Sequence, residues 1–238
     1  LHSRLITASV STSGRNICGH FILGLFMSPT WIFDLDNTLH HANPHIFPQI
    51  NRAMTQYLQQ ELNLDEAAAN QLRMDYWKRY GATLSGLMRH HGTDPEHFLW
   101  HTHQFPALAN MLRSDRALRH SLLRLPGQKI LFTNGPNHYA EAVLRQLSIA
   151  DLFADVISLQ SIDYRPKPDP HGFRYILRKH RLRPARCVMV EDSAENLFTA
   201  KRLGMRTVWI TASHGRPAYI DWRIRKIAEL ARIVGQLR

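Results

Sequence analysis

The chain of 238 residues has little cysteine. Cys18 and Cys187 are the only two, too few for a disulfide framework or a cysteine-ligated zinc finger, and a usage that suits a reducing, cytoplasmic setting. It also lacks any apolar run near the ~20 residues needed to span a bilayer. The longest, Phe21 to Met27, stops at seven residues. No internal repeat or low-complexity tract is present. Acidic side chains are scarce, 19 against 30 Lys and Arg, which leaves a net charge of +11. That balance attracts anions, whether nucleic acid, a membrane surface or a phosphorylated metabolite, without choosing among them. Lysine is scarce too, 6 against 24 Arg. Arginine favours planar, bidentate phosphate contacts, although base composition of the gene produces the same bias. What remains is a packed globular composition, 44% hydrophobic and 21% charged, long enough for one core domain carrying a smaller insert.

Residues 1–26 read differently from the rest. They are rich in Ser, Thr and Gly, carry only Arg4 and Arg15 as charges and hold no sustained period, so the expectation is a disordered extension or a start misassigned upstream of Met27. Beyond them strand-like and helix-like segments alternate. Apolar runs at Trp31–Asp36, Lys129–Thr133, Val156–Leu159, Cys187–Val190 and Thr207–Ile210 suit buried parallel strands. Between them lie helical stretches around Ala140–Leu147, 170–180 and 193–203, the last stopped by Gly204. This order predicts an α/β doubly wound parallel sheet with ligands at the carboxyl ends of its strands. Residues 45–125 hold only helical stretches, such as Ile50–Leu62 and Glu66–Tyr80, and read as an inserted α-helical cap on a core made of 27–44 and 126–238. The tail, Asp221–Arg238, reads as one basic amphipathic helix that packs Ile224, Ile227, Leu230, Ile233 and Val234 against the sheet.

The sharpest chemical feature is Asp34-Leu35-Asp36-Asn37-Thr38. Strand residues i and i+2 share a face, so both carboxylates enter one site, and their repulsion calls for a cation. Oxygen donors favour Mg²⁺, which leaves one Asp to act as nucleophile and the other as general acid and base. Three further pieces each follow an expected strand. Thr133 offers a hydroxyl beside the backbone amides of Asn134 and Gly135, a cradle for phosphate. Lys167 supplies an ammonium fixed between Pro166 and Pro168. Glu191 and Asp192 add a second acidic pair, with Asn196 one helical turn on. Together they make a phosphate-plus-magnesium site.

The ordered set D-L-D-N-T, F-T-N-G, K-P and V-E-D-S-A-E-N, over residues 30 to about 212, resembles the haloacid dehalogenase superfamily of phosphotransferases. The resemblance implies a Rossmann-like core, Asp34 as the nucleophile that forms an aspartyl-phosphate, and Asp36 as its acid/base. It implies Thr133 and Lys167 as holders of the phosphoryl group. Asp34, Asp192 and the Asp36 carbonyl would be Mg²⁺ ligands, with Glu191 beside them. The dehalogenases that name the superfamily lack an acid at the second position, so Asp36 points to phosphate ester hydrolysis. Glu191 and Asn196 depart from the commoner G-D-x-x-x-D form. Within the 45–125 block, Tyr76, Tyr80, Gly81, Gly86, Leu87 and His91 resemble the Tyr…Tyr-Gly…Gly-Leu…His pattern of the pyrimidine 5′-nucleotidase subfamily. That implies a nucleoside 5′-monophosphate as the small phosphorylated partner and makes Tyr76 and Tyr80 its expected binding residues. A sugar-phosphate phosphatase or phosphomutase is the alternative, and a nucleic-acid-binding protein on the same scaffold is a rival of another class. The net charge and the basic run Arg178–Arg186 motivate that rival, but the run reads as a solvated helix end and loop opposite the site, and the intact catalytic set argues against it. His97, His101 and His103 read as a solvated surface, and the oligomeric state stays open.

Overall fold

The computed structural model describes residues 28–215 and 217–237, so the expectations for 1–26 lie outside the described residues. The chain runs β1 (Thr30–Phe33), then helices α1 (Ile46–Leu62), α2 (Glu66–Tyr80), α3 (Thr83–His91), α4 (Pro95–Thr102), α5 (Leu108–Met111) and α6 (Leu118–Leu123). It continues with β2 (Lys129–Phe132), α7 (Asn137–Gln146), β3 (Asp155–Ile157), α8 (Pro170–Lys179) and β4 (Cys187–Glu191). The last elements are α9 (Ala194–Arg202), β5 (Arg206–Ile210), β6 (Trp222–Ile224) and α10 (Leu230–Val234). The six strands form one sheet in the order β3-β2-β1-β4-β5-β6, and every neighbouring pair is parallel. The chain builds outward through β2 and β3, then crosses to the far side of β1 for β4. The direction changes beside the carboxyl end of β1, where α/β sheets open a crevice.

Alternation along the strands sorts the core into two layers. Trp31, Phe33, Leu131, Val188 and Val190 face one side, with Val143 and Leu144 of α7. Ile32, Ile130, Phe132, Cys187 and Met189 face the other, with Phe173 and Ile176 of α8 and Leu197 of α9. Central strands buried on both faces have no polar alternation to display, which is why these runs read as continuous apolar stretches.

The helical block divides in two. Helices α1–α4 bury Tyr57, Leu58, Leu84, Leu87, Phe98 and Leu99 together, with Tyr57 edge-on to Phe98 at 5.1 Å. Local chemistry sets their ends: Asp65 and Asp94 cap α2 and α4 through Ala68 N and Glu96 N, and Gly81 closes α2 at φ 77°. Helices α5 and α6 instead return to the sheet, where Leu108, Leu118 and Leu122 join the layer of Trp31 and Phe33.

The tail corrects an expectation. Asp221–Arg238 is not one helix: Trp222–Ile224 pairs with β5 as a sixth strand, a 3-10 turn follows at Ile227–Glu229, and α10 has only five residues. The open backbone edge of β5 competes with helix formation, and Trp222 and Ile224 suit a pleated surface. The expected packing is present all the same, since Ile224, Ile227, Leu230 and Ile233 are buried against the core. Among the described residues no helix is long and apolar enough to cross a membrane.

Candidate active site

The ladder ends where the chemistry begins. The Asp34 amide donates to the Val190 carbonyl at 3.0 Å, which fixes Asp34 just past β1 and beside the end of β4. Its carboxylate is buried, and burial of a charge demands partners. Lys167 answers that demand. Its ammonium donates to Asp34 Oδ1 at 2.7 Å, to Glu191 Oε2 at 2.7 Å and to the Phe132 carbonyl at 2.8 Å, so all three protons are used. Asn134 aims this lysine: its Oδ1 accepts from the Lys167 amide at 2.8 Å and its Nδ2 donates to the Lys167 carbonyl at 3.1 Å. The side chain of Asn134 is thereby committed to the lysine segment.

The charges do not balance. Carboxylate oxygens of Asp34, Glu191 and Asp192 lie within 4.8 Å of one another, so three carboxylates face one ammonium and two negative charges are uncompensated. Burial first, and then Glu191, push Asp34 up to about 7 against the pull of Lys167. Burial likewise raises Glu191 and Asp192, each with a neighbouring carboxylate adding to it. Burial disfavours the Lys167 ammonium, but Asp34 and Glu191 outweigh it and hold the group well above its ordinary value. A hard divalent cation bound through oxygen is what such a cluster suits. The donor set fits Mg²⁺.

Asp36 stands apart from that cluster. The chain turns after Leu35 through Asn37, whose φ of 61° is left-handed. Asn tolerates that region, and its Oδ1 accepts from the amides of Ala42 at 3.0 Å and Asn43 at 3.2 Å, pinning the turn. Asp36 Oδ1 accepts from the Tyr139 hydroxyl at 2.6 Å and lies 3.0 Å from His40 Nε2. Across the crevice Thr133 is buried, and its Oγ1 accepts from the Gly135 amide at 2.9 Å, which leaves the hydroxyl proton free to donate.

A cavity of about 530 Å³ opens between the strand ends and helices α1–α4, and neither His40 nor Tyr139 lines it. Asp34, Asp36, Thr133, Asn134, Gly135, Lys167, Glu191 and Asp192 are brought together on its floor, with Asn196 beside them. Tyr76 and Tyr80 are not. The face of α2 turned to the cavity carries Arg73, Met74 and Trp77. Tyr76 packs instead on α3, where a Cβ on Gly86 would stand 2.2 Å from the Tyr76 ring, and its hydroxyl lies 2.8 Å from His91 Nε2. Tyr80 pairs with His90 at 2.6 Å. The set Tyr76, Tyr80, Gly86 and His91 is thus a helix-packing device here, and one residue's rotation along α2 separates it from the cavity wall. His103 is a second correction. His97 and His101 are exposed, but His103 is buried, bonded to Thr102 Oγ1 at 2.9 Å, and burial pushes it down to about 4, so it is neutral.

Sequence reasoning missed Arg73, Trp77, His40 and Tyr139. His40 adjoins the D-L-D-N-T run and was in reach of it. Tyr139 comes to Asp36 only through tertiary structure, and no local pattern marks it.

The chain belongs to the haloacid dehalogenase-like hydrolase family, which residues 30–204 match. Among curated proteins it is 28% identical over 192 residues to phosphate metabolism protein 8 of Saccharomyces cerevisiae, covering 74% of this chain and 59% of that one. It is 29% identical over 173 residues to phosphoglycolate phosphatase of Vibrio vulnificus, covering 71% and 65%. The chain therefore spans less than two thirds of the length of these relatives. A solved phosphatase of the same superfamily from Thermococcus onnurineus superposes with a TM-score of 0.64 at 22% identity, over 87% of this chain and 98% of that one. At that identity the likeness is one of fold.

Proposed function

We propose that the chain is a Mg²⁺-dependent phosphomonoesterase that works through an aspartyl-phosphate on Asp34. One observation carries the reading: Asp34 is fixed at the end of the central strand, its Oδ1 held by Lys167 at 2.7 Å and its second oxygen left to attack. Attack of that oxygen on phosphorus forms the Asp34–phosphorus bond as the ester P–O bond breaks, and Asp36 gives a proton to the departing alkoxide. Asp36 then takes a proton from water, whose oxygen attacks the same phosphorus, and Asp34 leaves with inorganic phosphate released. The free Thr133 hydroxyl holds one oxygen of the phosphoryl group, and Lys167 holds another once one of its three donors turns to the substrate from Glu191 or the Phe132 carbonyl. Asp34, Asp192 and the Asp36 carbonyl would hold Mg²⁺, with Glu191 next to them; when bound, the ion neutralises charge on the phosphoryl oxygens and the acidic cluster.

Helices of the 45–125 insert act in this reading as a cap that excludes water and selects the leaving group. Trp77 and Arg73 offer an aromatic face and a cation there, which suits a nucleoside 5′-monophosphate, the substrate we favour. Sugar phosphates and phosphoglycolate form a second reading, supported by the name of the Vibrio vulnificus relative. The cytoplasmic setting rests on the same two cysteines as before. The test is phosphate release with Mg²⁺ from UMP, CMP, AMP, sugar phosphates, 2-phosphoglycolate and p-nitrophenyl phosphate. Higher kcat/KM for UMP and CMP is the expected result. Preference for 2-phosphoglycolate or a sugar phosphate replaces the nucleotide reading, and no release from any ester overturns the phosphatase reading itself.

A further inference from the structure

Asp36 carries two hydrogen-bonding neighbours that the phosphatase reading does not require. Tyr139, 1% exposed, reaches it from the first turn of α7 and donates to Oδ1 at 2.6 Å. His40, 2% exposed, presents Nε2 to the same oxygen at 3.0 Å, and the two neighbours lie 3.4 Å from each other. Both converge on Oδ1, and no described residue donates to Oδ2.

The surroundings argue against a packing role alone. His40 Nδ1 is buried without a partner, a cost in stability that an apolar residue in the same space would avoid. The imidazole is thus retained for its other nitrogen. Tyr139 is held from three sides. Its ring lies 5.1 Å from Phe105 and 5.9 Å from His103, and Gly135 leaves room for it, since a Cβ there would stand 3.1 Å from Cδ1. Burial, and after it the charge of Asp36, raise the Tyr139 hydroxyl far above a phenol's ordinary value, so it stays a donor.

We propose that Tyr139 and His40 are positioning residues for Asp36, which fix Oδ1 and so make Oδ2 the atom that holds and transfers the proton. The proposal rests on Asp36 serving as the acid of the reading above. In the first step the proton on Oδ2 moves to the leaving oxygen as the ester P–O bond breaks and the Asp34–phosphorus bond forms. The charge left on Asp36 is received at Oδ1 by the Tyr139 O–H and the His40 N–H. A carboxylic acid held at one oxygen delivers its proton along a fixed line, which general acid catalysis requires.

Tyr139→Phe removes the hydroxyl and keeps the ring. The comparison uses kcat/KM, which covers the steps through formation of the aspartyl-phosphate, for glycerol 3-phosphate and for p-nitrophenyl phosphate. The first leaves as an alkoxide that must be protonated, and the second as a phenolate that needs little help. The expected result is a loss of about tenfold to a hundredfold for glycerol 3-phosphate and a change within about twofold for p-nitrophenyl phosphate. His40→Gln, which keeps a donor, should lose less than His40→Leu, and this pair carries the same comparison if Tyr139→Phe does not fold. Equal losses on both esters, or none on either, overturn the proposal. Asp36→Asn is the control: if it fails to discriminate between the esters, the acid assignment falls. If it discriminates and Tyr139→Phe does not, the positioning roles alone fall.

Discussion

Asp34, Glu191 and Asp192 are three acids around one ammonium, and the imbalance has a thermodynamic signature. Each is raised above its ordinary value in the folded chain, Asp34 to about 7, with burial the first cause. The folded state therefore binds more protons than the unfolded one between the ordinary carboxylate range and pH 7. Its metal-free stability falls as pH rises through that window. A divalent cation held by the deprotonated cluster would reverse the loss. Mg²⁺ at a hundred times its Kd should raise the unfolding midpoint by about 5–10 °C at pH 8 and by much less at pH 5. An equal rise at both values, or none, contradicts the assignment. At this scale the sequence was informative where residues follow one another along a strand end. Asp34 with Asp36, and Glu191 with Asp192, are pairs of that kind. It was silent where a partner comes from 103 positions away, as Tyr139 does to Asp36.

Elements were legible in proportion to how much their pattern decides alone. The run Glu66–Tyr80 has a capping Asp65 and a closing Gly81, and the expected helix matches the observed one to the residue. Its rotation was not legible, because a motif match names residues without saying which face meets the cavity, and Tyr76 turned to Gly86 while Trp77, 55% exposed, lines the cavity. The tail failed for the opposite reason. Apolar residues at every third position fit a helix, yet they serve equally for a short strand, a turn and a helix that all lean on the same core. Whether the edge of β5 is free to pair is a property of the assembled sheet. Leu230, fully buried beside Ile227 and Ile233, anchors this closing segment. Leu230→Ala should cost about 2–5 kcal/mol in a urea titration. A change below about 0.5 kcal/mol, the range of surface substitutions, would mean that the tail packs loosely on the core.

At the scale of the whole molecule helices α1–α4 make a roof over the strand ends, and hydrogen bonds cross from one to the other. Glu96 of α4 accepts from the hydroxyl of Tyr164 and from Gln160 Nε2, both on the segment that leads to Lys167. The parallel sheet with its flanking helices was readable from the alternation of segments. The wall chemistry was not, since Arg73 and Trp77 lie in a helix whose composition does not set them apart. Arg73 bonds Asn51 Oδ1 at 2.8 Å, has no carboxylate partner among the described ion pairs, and faces the cavity. Arg73→Ala should raise KM for UMP by about tenfold, the loss of one charged hydrogen bond, while the unfolding midpoint holds. An unchanged KM for every ester would place Arg73 in helix packing alone.

The central claim is that Asp34 carries the phosphoryl group during turnover. Mass spectrometry of protein quenched in acid while it hydrolyses a phosphomonoester with Mg²⁺ reads this directly. The expected result is a phosphoryl group on the peptide that contains Asp34, absent from Asp34→Asn, which should also release no phosphate while folding normally. Phosphate release with Asp34 unmodified, or turnover by Asp34→Asn at the wild-type rate, would contradict the account.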